Sequence, residues 1–431
     1  MQDLIRSPAF WTLTLFLVPL MLKVPIAIAL GSSAVMVAWY YGFGVMMLPY
    51  NFFANIVKFP LLAIPFFILA GVLMDKSGIA EKLVHFIRAL VGNITGGLAI
   101  ASIAVAVFWG AVSGVSAATV AALGVILIPG MVKAGYDKPF ATAVIVVASG
   151  LAIVIPPSIT FIIYAVITGV SVSRIFIAGI APGFVIAAFL MLSAYVTCKK
   201  KGYGGEEASS WKEIACAFLD ALWALVMPLI ILGGIYGGVF TPTEAAVVAV
   251  MYALFVGTVV NKRLTLGMIY ESLVVTLDAT SVVMLVIACA GLFSWVGATV
   301  GLIQRASSLL LGLSDKPYMV LIAINVILFF AGMLLDGISV MYVFLPILMP
   351  IMRHFGWDPI WFGVMMTINL AIGGVTPPVA VNLYVGSKVS GLAIEEIVPP
   401  TIPLLAALLI ALVVIAAFPS ITLFLPRLLL P

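Results

Sequence analysis

Two apolar stretches of this chain are interrupted in the same way, and the interruption limits what the rest can build. Residues 148–161 read ASGLAIVIPPSITF, and residues 369–382 read NLAIGGVTPPVAVN. Proline removes a backbone donor and clashes with the preceding helical turn. Neither helix can continue unbroken through Pro156-Pro157 or Pro377-Pro378. Both segments sit among uninterrupted apolar runs of about 20 residues, the length that crosses a bilayer as helix. In hydrocarbon, unwound backbone survives only where protein or a watery cavity satisfies its polar groups. A matched pair of such segments, one per half, is the sequence mark of a transporter's binding region.

Composition agrees. The chain has 431 residues, 65% hydrophobic and 8% charged, with a mean hydropathy of +1.32. A soluble domain carries about 25% charged residues. The fold class expected is an all-α polytopic membrane protein; the alternation of a β-barrel is absent. The net charge of +4 comes from Lys and Arg flanking the spans and does not point to nucleic acid. Cys198, Cys216 and Cys289 have no paired spacing, which excludes a disulfide framework and a cysteine metal site and predicts buried structural thiols. His85 and His354 are expected in polar connections. The first apolar run follows too few positive charges, and precedes no small-residue cleavage site, to be a signal peptide. It reads as a retained span.

In order, spans are expected at 10–22, 25–41 and 56–74, the last kinked at Pro60 and Pro65. At 79–91, Lys82, His85 and Arg88 recur opposite Leu83, Phe86 and Leu90, the pattern of a helix lying in the membrane interface. The short apolar pair 98–109 and 117–131, around GAVSGVSAAT at 110–119, predicts a re-entrant hairpin. A broken span (140–168) and a full span (175–198) follow. The polar stretch KKKGYGGEEASSWK opens at Lys199. Beyond it come spans 222–240 and 243–260, an interfacial segment 264–276, a span 277–296 and a second interfacial helix 300–313. A second short pair (319–330 and 338–352, around AGMLLDG), a second broken span (361–389) and a last span (397–418) complete the chain. The domains expected are 1–198 (first repeat), 199–221 (cytoplasmic linker) and 222–431 (second repeat).

The halves superpose at a nearly constant spacing. Pro129 and Pro350, Gly135 and Gly356, and Pro156 and Pro377 all stand 221 residues apart. With Lys199–Lys201 placed in the cytoplasm, 13 of the 20 Lys and Arg, Lys76, Lys133 and Arg263 among them, fall on that side. The other 7, Arg6 included, fall outside with both termini. The repeats are then inverted, the first hairpin entering from the cytoplasm and the second from outside.

Four backbone-exposing elements should converge near the midplane. Freed carbonyls and hydroxyls are hard oxygen donors suited to Na⁺, and half-helix N-termini can face a carboxylate. The candidate ion ligands are Ser113, Gly114, Ser116, Ser149 and Gly150 for one sodium, and Gly332, Asp336, Gly373 and Thr376 for another. Two or more ions are expected. Thr119, Pro156, Ser158, Pro377 and Asn382 are the candidate substrate contacts. Asp336 is the one acid in a hairpin tip, and an intramembrane carboxylate is costly and usually functional. Glu244 in TPTEAA reads as a helix cap. An enzyme is not expected: no histidine lies in a span to serve as base, no G-x-G-D occurs, and no P-loop supports ATP hydrolysis.

On these residues the chain resembles the large membrane subunit of tripartite ATP-independent periplasmic (TRAP) transporters. The resemblance covers nearly the whole length and rests on ILAGVLMDKSGIAEKL (68–83), GAVSGVSAATVAALG (110–124), GYDKPFATA (135–143), IPPS (155–158), TPTEAA (241–246) and TPPVAVNLYV (376–385). It implies an elevator-type, sodium-coupled importer in the bacterial inner membrane. It also implies two partners: a small four-helix membrane subunit, and a periplasmic binding protein that delivers an organic acid such as a C4-dicarboxylate or a sialic acid. The family typically has a Gly just before the Asn of its second double-proline motif, where this chain reads Val379-Ala380-Val381. The other class left open is a stand-alone ion-coupled organic anion transporter.

Overall fold

The computed structural model describes residues 7–205 and 208–429. Arg6 of the charge count and residues 206 and 207 of the linker lie outside them. Among the described residues all regular structure is helical. The first half contains α1 (Pro8–Met21), α2 (Ile26–Tyr40), α3 (Met47–Ile56), a tight turn at Phe59–Leu62, α4 (Ala63–Lys76) and α5 (Ile79–Val91). A hairpin of α6 (Gly97–Ser113) and α7 (Ser116–Lys133) follows, then α8 (Lys138–Ala148), α9 (Ile159–Thr168) and α10 (Val172–Lys201). The second half contains α11 (Trp211–Tyr236), α12 (Pro242–Phe255), α13 (Leu266–Thr299) and α14 (Leu302–Leu311). Its hairpin is α15 (Pro317–Leu334) with α16 (Gly337–Phe355), followed by α17 (Pro359–Gly373), α18 (Val381–Ser390), α19 (Ile394–Ala417) and α20 (Pro419–Leu429).

Helix ends follow the local chemistry. Ser210 with Glu213, and Thr241 with Glu244, form reciprocal capping boxes, so Glu244 is a cap. Ser158, Asp336 and Asp358 accept backbone N–H groups at the starts of α9, α16 and α17. Nine described helical runs are long and apolar enough to cross a membrane.

Several expectations are corrected. The interfacial segment 264–276 does not exist as a separate piece: α13 is one helix of 34 residues, about 50 Å long. Its counterpart in the first half is broken between α3 and α4 because Pro60 falls inside it, and no proline interrupts α13. The polar stretch is helical only at its two ends, since α10 runs to Lys201 and ends at left-handed Gly202 and α11 starts at Trp211. The hairpin arms are 17 to 19 residues rather than short, leaving only Gly114-Val115 and Leu335-Asp336 outside helix at the tips. His85 lies inside α5 and His354 in the last turn of α16, not in connections. Cys216 is exposed, whereas Cys198 and Cys289 are buried as expected.

The halves pack through matched contacts. α4 packs on α12 and α2 on α13; α18 lies along α7 and α9 along α16. The Tyr164 ring covers Gly363, and Gly386 sits against Thr142 and Val146. Gly363 stands 221 residues after Thr142 and Gly386 222 after Tyr164, so the two contacts are one contact seen from each half. Gly150 faces Ala371, its own equivalent at the 221 spacing. A pseudo-twofold axis therefore passes between these residues, and the two broken helices run antiparallel across it.

Candidate functional site

Each break forms where its sequence forbids regular helix. After α8 the chain tightens through Ser149–Ile153, passes Pro156-Pro157, and restarts at α9 once the Ser158 hydroxyl accepts the Phe161 N–H at 3.4 Å. After α17 it passes Pro377-Pro378 and restarts at α18, with Ala380 held at φ 41°. That left-handed backbone costs a residue with Cβ roughly 1–2 kcal/mol and is the conformation that favours Gly.

The two hairpin tips and two breaks line one cavity of about 320 Å³. Val115 and Ser116 come from the first tip, Leu335 and Asp336 from the second. Ile153 and Thr160 come from the first break, Gly374 and Asn382 from the second. The opposite wall is α4, through Ile68 and Val72, and α13, through Val275, Ala279 and Val283. Asp336 is the only charged side chain of this lining.

Four helix N-termini point their first residues at this space: Ser116 of α7, Ile159 of α9, Gly337 of α16 and Val381 of α18. Two are engaged. Asp336 Oδ1 accepts from Ile338 N and Ser339 N, both at 3.0 Å, and Oδ2 accepts from the Ser339 hydroxyl at 2.6 Å. Ser158 caps α9. The N-caps of α7 and α18 are Val115 and Ala380, which offer no side-chain cap. The partial positive charge of α7 is thus left facing the cavity, while at α18, packed beside it, the Asn382 N–H already donates to the Gly374 carbonyl at 3.1 Å.

Of the residues singled out in the sequence, Gly114, Ser116, Gly332, Asp336 and Asn382 line the cavity. The Ser116 hydroxyl donates to Asn382 Oδ1 at 3.2 Å, Asn382 Nδ2 donates to Ser149 Oγ at 3.1 Å, and Ser149 donates to the Val146 carbonyl at 2.7 Å. Asn382 therefore joins the first hairpin tip to the first break, although it belongs to the second. Gly150 faces the opposite break rather than the tip. Ser113 and Thr119 both donate to the Val115 carbonyl, and Thr376 donates to Ile372, so these hydroxyls are turned onto their own backbone. Pro156, Ser158, Pro377, Ser149, Gly373 and Thr376 stand behind the lining.

Each tip meets the break of its own half at a bare backbone. A Cβ on Gly110 would fall 2.9 Å from Ala152 Cα, and one on Gly373 would fall 2.7–2.9 Å from the Gly332 backbone. Sequence reasoning missed Thr160, Val379 and the α4 and α13 residues of the lining. Their signal is tertiary, because nothing local distinguishes a cavity-facing Val from a lipid-facing one.

Comparison with known proteins places this geometry. Residues 13–421 match the family model of the tripartite ATP-independent periplasmic transporter, DctM component. The C4-dicarboxylate TRAP transporter large permease protein of Pseudomonas aeruginosa is 38% identical, over 92% of this chain and 93% of its own length. The sialic acid TRAP transporter large permease protein of Vibrio cholerae is 38% identical, over 87% and 88%. The isethionate TRAP transporter permease protein of Oleidesulfovibrio alaskensis is 38% identical over 94% of this chain, which spans only 64% of that longer protein. The crystal structure of the Alcanivorax borkumensis YdaH transporter shares the fold, with a TM-score of 0.63 over 95% of this chain and 98% of that one, at 15% identity. The chain is a multi-pass permease of the bacterial inner membrane and belongs to the DctM-component family of tripartite ATP-independent periplasmic transporters.

Proposed function

We propose that this permease imports an organic anion, coupled to sodium, by elevator-type movement of the hairpins and broken helices against a fixed frame. The observation that carries the reading is the cavity itself. It presents two helix N-termini without a side-chain cap and no cationic side chain, next to a single carboxylate. Helix N-termini favour an anion but supply only about half a charge each. A carboxylate or sulfonate held beside Asp336 needs further positive charge, and sodium ions in the adjoining oxygen-rich tips supply it.

The first ion then takes oxygens from Ser116, Ser149 and Asn382, and the second from Gly332, Gly373, Thr376 and Asp336. Relatives are named for C4-dicarboxylate, sialic acid, isethionate and 2,3-diketo-L-gulonate. All are organic acids, which supports an organic acid as the cargo of this chain. A small membrane subunit braces the frame, a periplasmic binding protein delivers the cargo, and Lys199–Lys201 face the cytoplasm.

The test is uptake of labelled organic acids into proteoliposomes holding this chain and its small subunit. Uptake should require both an inward Na⁺ gradient and the cognate binding protein. Ser116→Ala and Thr376→Ala should each raise the half-saturating Na⁺ severalfold. Uptake by the wild type without Na⁺ would remove the coupling, and uptake without any binding protein would establish the stand-alone class instead.

A further inference from the structure

The two hairpins are not held in the same way. Halfway along the second, the Asn369 side chain of α17 reaches the first arm, α15. Its Nδ2 donates to the Asn325 backbone carbonyl at 2.9 Å and to Asn325 Oδ1 at 3.0 Å. Asn325 Nδ2 in turn donates to the Leu321 carbonyl at 2.9 Å and approaches Met365 Sδ at 3.4 Å. Asn369 is 1% exposed, and its Oδ1 is buried with no donor. Rotating the amide would aim that oxygen at the two Asn325 acceptors, so the orientation is fixed by chemistry. At the 221 spacing the first half carries Ala104 and Ala148 in these places, which can make no such link.

A buried amide with one orphaned oxygen is costly, and here it does not serve the symmetry of the fold. Its location suggests what it does serve. Four residues beyond Asn369 and seven beyond Asn325, the same two helices meet backbone to backbone at Gly373 and Gly332. A paired amide one to two turns away sets the separation and rotation of the helices at that meeting point.

We infer that Asn369 and Asn325 are positioning residues for the second sodium half-site, locking α15 to α17 so that only the tip beyond Gly332 is free to gate. The inference rests on the reading of Gly332, Asp336, Gly373 and Thr376 as that half-site. The first hairpin has alanines at the equivalent positions, and its tip is tied to the first break through Asn382 of the other half instead, so the two ions differ in how their ligands are held.

The test is the Na⁺ dependence of uptake in the reconstituted complex. Asn369→Ala removes both bonds and should raise half-saturating Na⁺ about tenfold. Asn325→Ala leaves its backbone carbonyl in place and should have a smaller effect, about threefold. The double variant should be no worse than Asn369→Ala. Asn369→Leu, which restores the volume but no donor, should behave like Asn369→Ala, and a side chain that only fills space would not. Combined with Ser116→Ala the effects should multiply, and combined with Thr376→Ala they should not. If Asn369→Ala does not reach the membrane folded, Asn325→Ala carries the comparison. A sodium-dependent wild type with unchanged half-saturation in both Asn369→Leu and Asn325→Ala overturns the lock. A wild type with no sodium dependence overturns the reading beneath it.

Discussion

At the scale of single residues, the site is built as much from absent side chains as from present ones. Gly110 and Gly373 let hairpin and break touch at the backbone, and any Cβ there collides with the opposite helix. Gly373→Ala should cost about 1–3 kcal/mol, the usual penalty of overpacking, because backbone cannot yield as a flexible side chain can. A drop in the thermal unfolding midpoint of the purified protein checks this; an unchanged midpoint would mean that the two backbones are free to part. These glycines, and the double prolines, are legible in the sequence because each acts on its own stretch of chain. Asn382 is legible only in part. Its amide is an evident candidate, yet its partners Ser116 and Ser149 lie 266 and 233 residues away, in the other half. The orphaned Asn369 oxygen is invisible for the same reason, since an isolated Asn in an apolar run reads alike whether paired or not.

Elements divide into those that join the halves and those that form the tips. The α4–α5 corner is tied to the segment after α12 by side chains from both halves. Arg263 pairs with Glu81 at 2.6 Å, Lys76 with Glu271 at 2.7 Å, and Asn261 Nδ2 donates to the Ser77 carbonyl at 3.0 Å. Exposed ion pairs contribute only about 0–1 kcal/mol each, so their value is in fixing geometry rather than in stability. The amphipathic pattern of Lys82, His85 and Arg88 foretold the bounds of α5 to the residue, because amphipathic helices carry a strong periodic signal. The length of α13 was hidden, because its amphiphilic start resembles an interfacial helix and only the absence of a stop signal says otherwise. If this corner belongs to the frame, a cleavable bifunctional thiol reagent joining Glu81→Cys to Arg263→Cys should leave uptake intact. Loss of uptake on crosslinking, restored on cleavage, would place the corner among the moving parts.

The whole molecule is two halves that complete one another. Each broken helix supplies its second segment to the hairpin of the opposite half, and each half contributes one long wall, α4 or α13, to the cavity. The repeat was readable as a spacing of 221 residues, but how the halves interlock was not, since a spacing says nothing of which faces meet. The central claim is that the hairpins and broken helices move as one body past the α4 and α13 wall. Pulsed distance measurements between paired spin labels test it most directly, in a cysteine-free background of the reconstituted complex, with one label on the frame at Lys212 and one on the first hairpin at Lys133. The account predicts two distance populations for this pair, their ratio shifted by Na⁺ with substrate, while a frame pair at Glu81 and Lys262 keeps one distance throughout. A single unshifting distance between Lys133 and Lys212 under every condition, in protein that transports, would contradict it.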